Sequence, residues 1–384
     1  MSKTARAPLR VLHCHSTFSA GGKEVRSARL MNAFGDAMVH TVVSAEPESM
    51  EAQALIAPGI NVRFPKDFPA LKGLPTPGRL AALGDALKPF DLICTYNWGA
   101  MDVAMAHTAF GKAFGLPPLA HHEDGFNEDE AGGLKPRRNL YRRAALRGAA
   151  RVIVPSTGLE RIAIGPWAQP PEKVLRIANG IDTAAFGAPP PNPSAPGALR
   201  VVKRADERWI GTLAGLRAVK QLPLLVAAVA ELPEEWHLVI CGEGPERDRI
   251  RAAAEAAAIS HRVHLPGAVP DPAQAIGLFD IFALSSASEQ FPLSVVEAMA
   301  AGLPVAAPDV GDIRQMVAEE NRGFIAVPHD AQALAAMLAE LVADPALRAR
   351  IGAANRARAI AHYDAAKMVA QYRAAYGEAL GRAF

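Results

Sequence analysis

The chain has 384 residues, 50% of them apolar and 21% charged, with a formal net charge of +2 at pH 7. That length exceeds one typical core and suits two domains. The composition is that of an ordinary globular enzyme, and so even a charge balance excludes a strong general field for nucleic acid. Cys14, Cys94 and Cys241 are scattered and odd in number, which fits core packing in a reducing compartment rather than a disulfide framework. MSKTARAPLR carries no apolar signal core, and the longest apolar stretches, such as Leu222 to Ala230, are too short to span a bilayer. The expectation is a cytoplasmic protein whose membrane contact, if any, is peripheral.

Leu9 to Cys14 reads as a strand. It feeds the loop Ser16 to Lys23, with Gly21-Gly22 at its end, and a helix from Glu24 to Phe34. Strand, Gly-Gly loop and helix suit a phosphate. This is no Walker A loop, because Thr17 and Glu24 stand where that motif needs Gly and Ser or Thr. His13 and His15 share a strand face, but no third ligand follows at a suitable spacing, so no metal is expected. Further strands are predicted at 40–44, 61–64, 91–95, 118–122, 151–155 and 174–178, with helical stretches between several of them. Such alternation argues for a parallel sheet covered on both sides, with ligands at the carboxyl ends of its strands. Those ends carry Asn97-Trp98, His121-His122-Glu123-Asp124 and Ser156. The acids Glu123, Asp124, Glu128, Asp129 and Glu130 either include an acceptor base or form a solvated loop. No Asp-x-Asp pair occurs, which argues against a metal–diphosphate clamp.

Lys135 to Arg151 holds one Lys, six Arg and no acid. It reads as a helix with a solvated basic face, or as a patch for anionic lipid headgroups or a charged acceptor. Residues 188–197 are a linker by their Pro content, with the domain boundary at 183–199.

The alternation then restarts. Trp209 to Leu213 is a strand, and a loop from Ala214 to Lys220 leads to an apolar helix. Trp236 to Cys241 is the next strand, turning at Gly242-Glu-Gly244-Pro245. Arg262 to Leu265 and Gly267 follow. The strand Asp280 to Leu284 runs into SSASEQFPLSVVEAMAAGLPVAAPDVG. There Ser294 and Glu297 have the spacing of a capping box, which accounts for Glu297 by itself. Glu289 and Glu297 straddle a strand–loop–helix junction that suits a ligand with both hydroxyls and phosphate. Strands at 305–308 and 323–327 and helices at 331–342 and 345–362 complete the second half. In the last segment Met368, Tyr372 and Tyr376 recur at helical spacing and read as core.

E-x7-E within EQFPLSVVEAMAAGLPV resembles the signature of the family-4 retaining glycosyltransferases, with Gln290 where the family often has Gly. The resemblance implies that Glu289 contacts the donor sugar, that Glu297 holds the ribose, and that Phe291, Pro292, Leu293 and Ser294 border the donor. The Gly21-Gly22 loop resembles the family's GG-x-E segment, and Asn179-Gly-Ile-Asp182 its NG-x-D segment. His121, with His122 as the alternative, matches a sugar-contacting His. Asn97, His122 and Asp124 fall on the acceptor side. Lys220 matches the diphosphate lysine. The usual arginine position is Gly215, leaving Arg217 as the nearby substitute. Gly242 matches a G-x-GP turn, and Gly267 opens the segment bordering the nucleobase.

The fold so implied is α/β, two Rossmann-like domains facing across a cleft, called GT-B. Residues 1–182 would bind acceptor and 200–363 the donor, with 364–384 returning to the first domain. The activity implied is metal-independent, retaining transfer from a nucleotide-diphosphate sugar, with no cofactor, to a glycan or lipid-linked glycan in surface-polysaccharide synthesis. A nucleotide-sugar epimerase and a non-catalytic nucleotide- or glycan-binding homologue are the alternatives.

Overall fold

The computed structural model describes residues 7–19, 21–126, 130, 133–186, 199 and 201–384. The linker at 188–197 and the acids Glu128 and Asp129 lie outside the described residues. The chain divides into two compact units, Met1–Ala178 with Met368–Phe384, and Asn179–Lys367.

The first unit holds a parallel sheet in the order β3-β2-β1-β4-β5-β6-β7. Its strands are β1 (Leu9–His15), β2 (Met38–Ser44), β3 (Val62–Arg63), β4 (Leu92–Tyr96), β5 (Leu119–His122), β6 (Arg151–Val154) and β7 (Val174–Arg176). The helices are α1 (Gly22–Phe34), α2 (Pro77–Leu87), α3 (Met101–Phe114), α4 (Pro136–Ala145) and α5 (Thr157–Ile164). Side chains of a strand alternate between sheet faces, and here both faces are apolar, as a doubly covered sheet requires. Leu12, Cys14, Ile93 and Val152 pack toward Leu83, Met101, Val103 and Leu159. Val11, Leu92, Cys94 and Tyr96 pack toward Leu30 and Phe34 of α1 and toward Met368, Tyr372 and Tyr376 of the last helix, Ala365–Leu380. Local chemistry sets the helix starts. Thr76 accepts a hydrogen bond from the Arg79 amide ahead of Pro77, and Ser156 accepts one from the Leu159 amide. Ser156, a strand-end residue in the sequence, is thus a helix cap.

The second unit holds a parallel sheet in the order β10-β9-β8-β11-β12-β13. Its strands are β8 (Arg208–Leu213), β9 (Trp236–Cys241), β10 (Val263–Gly267), β11 (Ile281–Ala283), β12 (Val305–Pro308) and β13 (Ile325–Ala326). Helices α6 (Leu222–Ala230), α7 (Arg247–Ala256), α8 (Ala273–Ile276), α9 (Leu293–Ala300), α10 (Ile313–Met316), α11 (Ala331–Ala343) and α12 (Pro345–His362) surround it; the last helix of the chain is α13. Ile210, Leu238, Ile240 and Ile281 meet Leu225, Val226, Leu334 and Leu338 in its core.

Strand order reverses at β1/β4 in the first sheet and at β8/β11 in the second. In open parallel sheets the crevice for a ligand lies outside the carboxyl ends of the strands at that reversal. The loops that leave β1 and β4, and those that leave β8 and β11, are therefore where function belongs.

Candidate active site

In the second unit the loops after β8 and β11 leave neighbouring strands and are stitched together. The Ala287 amide donates to the Val219 carbonyl at 2.8 Å, and the Ser285 hydroxyl donates to the Lys220 carbonyl at 2.8 Å. This brings Lys220 Nζ to 2.5 Å from Glu289 Oε1, which also accepts from the Ser286 hydroxyl at 2.7 Å. The two side chains are 15% and 11% exposed, so the pair is shielded from bulk water without being sealed off. The loop after β12 closes on the same place. The Asp312 amide donates to the Gln290 carbonyl at 3.1 Å, and a Cβ at Gly311, where φ is +59°, would stand 2.5 Å from the Glu289 carbonyl oxygen.

The loop from 214 to 220 is braced from its other side. The Ala214 amide donates to the Cys241 carbonyl and the Leu216 amide to the Glu243 carbonyl. A Cβ at Gly242, where φ is +155°, would lie 1.9 Å from the Ala214 carbonyl oxygen, so that approach requires glycine. The Gly242 amide donates to the Gly267 carbonyl, which joins the ends of β9 and β10. Arg217 is exposed, and its Nε sits 3.6 Å from where a Cβ of Gly215 would be. Its guanidinium thus lies over the glycine that occupies the resemblance's arginine position.

Helix α9 corrects one expectation. It starts at Leu293 with Pro292 as N-cap and no side-chain cap. Ser294 is therefore inside the helix rather than capping it, and Glu297 lies two residues deeper than a capping box places it. The proline explains the earlier start, since its fixed φ favours the head of a helix and it carries no amide to satisfy. Phe291 is buried edge-on against Tyr363, with ring centroids 5.5 Å apart, so its contacts are those of a core residue.

In the first unit Gly22 is the exposed first residue of α1, whose N-cap, Gly21, offers no side-chain acceptor. Beside it Lys23 is ion-paired with Glu24, and Thr17 donates to Glu24 Oε1 at 3.1 Å. Burial pushes the Lys23 ammonium down to about 8. Arg26 grips Asp124 through two contacts, one of them 2.7 Å, and the Asp124 amide donates to Asn97 Oδ1 at 2.9 Å. Asn97 itself is held at φ +53°, a conformation Asn tolerates better than most residues.

The two histidines at the end of β5 point to opposite layers. His122 Nδ1 lies 3.2 Å from the Thr95 carbonyl and Nε2 2.9 Å from the Tyr376 hydroxyl. A carbonyl only accepts, so Nδ1 carries the proton and Nε2 accepts from the tyrosine. Burial holds this imidazole well below its ordinary range. His121 Nδ1 meets the Thr95 hydroxyl at 2.9 Å, while Nε2 faces the Glu123 carboxylate at 3.7 Å. Both rings are fully buried.

Residues 200–358 match the family described as "Glycosyl transferases group 1", and residues 21–180 match "Glycosyl transferase 4-like domain". The chain belongs to the family-4 glycosyltransferases. This glycosyltransferase is 32% identical over 197 residues to a D-inositol 3-phosphate glycosyltransferase of Xylanimonas cellulosilytica, covering 48% of this chain and 47% of the relative. It is 28% identical over 177 residues to a Bacillus anthracis N-acetyl-alpha-D-glucosaminyl L-malate synthase, covering 46% of this chain and 46% of the relative. The chain thus spans about half the length of these curated relatives. A solved structure of Anabaena Alr3699/HepE in complex with UDP superposes with a TM-score of 0.79 at 20% identity, covering 96% of this chain and all of that one. That likeness carries the GT-B fold.

The basic stretch 135–151 of this glycosyltransferase is not solvated throughout, because one of its arginines turns inward. Arg142 is wholly buried, bidentate to Glu130 at 3.1 and 3.0 Å, and stacked among Trp98, Phe126 and Trp167. Arg138 reaches the same carboxylate at 3.0 Å. Lys135, Arg137, Arg143 and Arg147 are the exposed members. The i, i+4 spacing of Arg138 and Arg142 hinted at this inward stripe, but only the aromatic side chains from other elements reveal it. His13 and His15 are likewise buried, against Tyr96, His40 and Ser27. Among the described residues no group of three His, Cys, Asp or Glu could hold a metal ion, and no helix is long and apolar enough to cross a membrane.

Proposed function

We propose that this chain moves a sugar, with retention and without a metal, from a nucleotide-diphosphate sugar to a glycan or lipid-linked glycan acceptor, in surface-polysaccharide synthesis. The observation that carries the reading is the Lys220–Glu289 pair at the reversal of the second sheet. As the glycosidic bond breaks, negative charge grows on the leaving diphosphate. Lys220 is a compact cation at that spot, and the unpaired amides at the start of α9 add a partial positive charge. Arg217, folded over Gly215, supplies the second cation in a planar, bidentate form. Both contacts to Glu289 fall on Oε1, so a donor sugar hydroxyl would be taken by Oε2. Glu297, in the second turn of α9, would take the ribose hydroxyls. A uridine nucleotide is the first donor to try, because structures of the HepE neighbour hold UDP and UDP-glucose. The exposed Arg137, Arg143 and Arg147 support peripheral contact with an anionic membrane if the acceptor is lipid-linked.

The test is a thermal-shift screen of nucleotide sugars, followed by turnover with the stabilising donor in the presence of a chelator. Transfer that survives chelation and keeps the anomeric configuration supports the proposal. Conversion of the donor to an epimer with no acceptor present would favour the epimerase instead, and binding with neither reaction would favour the non-catalytic homologue.

A further inference from the structure

We infer that the acceptor of this chain is electrically neutral where it meets the first unit, so that phosphorylated and dicarboxylate acceptors are rejected. This rests on the glycosyltransferase reading and adds the chemical class of the second substrate. Helices α1, α2 and α4 of the first unit carry a set of cations, Lys23, Arg26, Arg79, Arg138 and Arg142, and each already holds a carboxylate of this chain. Lys23 is paired with Glu24. Arg26, with a side chain only 4% exposed, holds Asp124. Arg79 holds Asp102 at 2.7 Å. Arg138 and Arg142 share Glu130, and Arg142 Nε also faces Glu123 at 3.6 Å.

The pairings are built rather than casual. Asp124 is fixed by the hydrogen bond its backbone N–H donates to Asn97 Oδ1, Glu24 by the Thr17 hydroxyl, and Asp102 by the Tyr141 hydroxyl at 2.6 Å. An anionic acceptor drawn to one of these side chains would have to displace its carboxylate. That would leave a half-buried carboxylate without its cation, the costly way to break a shielded pair. A neutral polyol asks for none of this. Its hydroxyls both donate and accept, so they can add to a carboxylate oxygen or a hydroxyl that is already in place.

Isothermal titration of the full-length protein tests the inference. UDP is titrated first, and absence of UDP binding would count against the donor reading alone. Glycerol 2-phosphate and succinate are then titrated into the protein, free and UDP-saturated. The expected result for the wild type is no saturable binding tighter than ~10 mM. Asp124→Asn, which removes the carboxylate held by Arg26, should bind glycerol 2-phosphate at least about tenfold more tightly than wild type. Glu24→Gln, which releases Lys23, is the second variant should the first fail to fold. Saturable millimolar binding of either probe to the wild type overturns the inference, as does a folded variant that gains nothing.

Discussion

Acid should loosen the first sheet well before it titrates ordinary carboxylates. His13, His15 and His122 crowd around Tyr96, with His40 against His13, all buried. His13 Nε2 and His40 Nδ1 lie 3.1 Å apart, so one must accept while the other donates, and protonating both would set two N–H groups against each other. Burial holds His40 down at about 4 and His13, His15 and His122 well below the ordinary histidine range. These groups are neutral in the folded chain and take up protons once unfolded. Stability is therefore full above the ordinary value near 6.5 and is lost as pH falls from there toward the folded value. For His40 alone, moving from about pH 7.5 to about pH 5 costs roughly 2 kcal/mol, and the other three add to it in the same direction. Hydrogen exchange of the β1 and β4 amides, corrected for intrinsic rates, measures it. The population opened should rise about thirtyfold over that range. Protection in β1 and β4 that stays level or rises would refute the reasoning.

Three other outcomes follow from the geometry. Glu297→Ala should weaken nucleotide-sugar binding and cut turnover by on the order of a hundredfold; a loss confined to stability would contradict its ribose role. Glu130→Ala should cost about 3 to 5 kcal/mol in urea unfolding, because it strands the buried Arg142 guanidinium. Gly242→Ala should cost about 2 kcal/mol and weaken UDP binding by displacing the 214–220 loop, checked by melting and titration of the same preparation.

The strand–helix alternation was legible because each strand is a short apolar run and each helix carries its own stop. Val305 to Pro308 and Trp236 to Cys241 fall where the pattern puts them. Lys220 and Glu289 were legible as separate signals, yet nothing local reports that they meet. Their contact depends on β8 lying beside β11, a register set by the whole sheet. The capping box failed because Ser294 and Glu297 have the right spacing in the wrong frame, with Pro292 starting the helix before them. The charge run was legible only in part, for a different reason. Composition cannot tell which arginine of a helix turns inward, and Arg142 is buried only because Trp98, Phe126 and Trp167 arrive from other elements with Glu130 beside them. His121 and His122 were found as a pair, but the assignment of His122 to a tyrosine of the last helix needed the fold.

Lys220→Ala, compared with wild type in titrations of UDP and of uridine, tests the central claim most directly. UDP affinity should fall about ten- to a hundredfold, the loss of a charge-assisted contact, while uridine affinity holds. Equal losses for both ligands, or none for UDP, would contradict it.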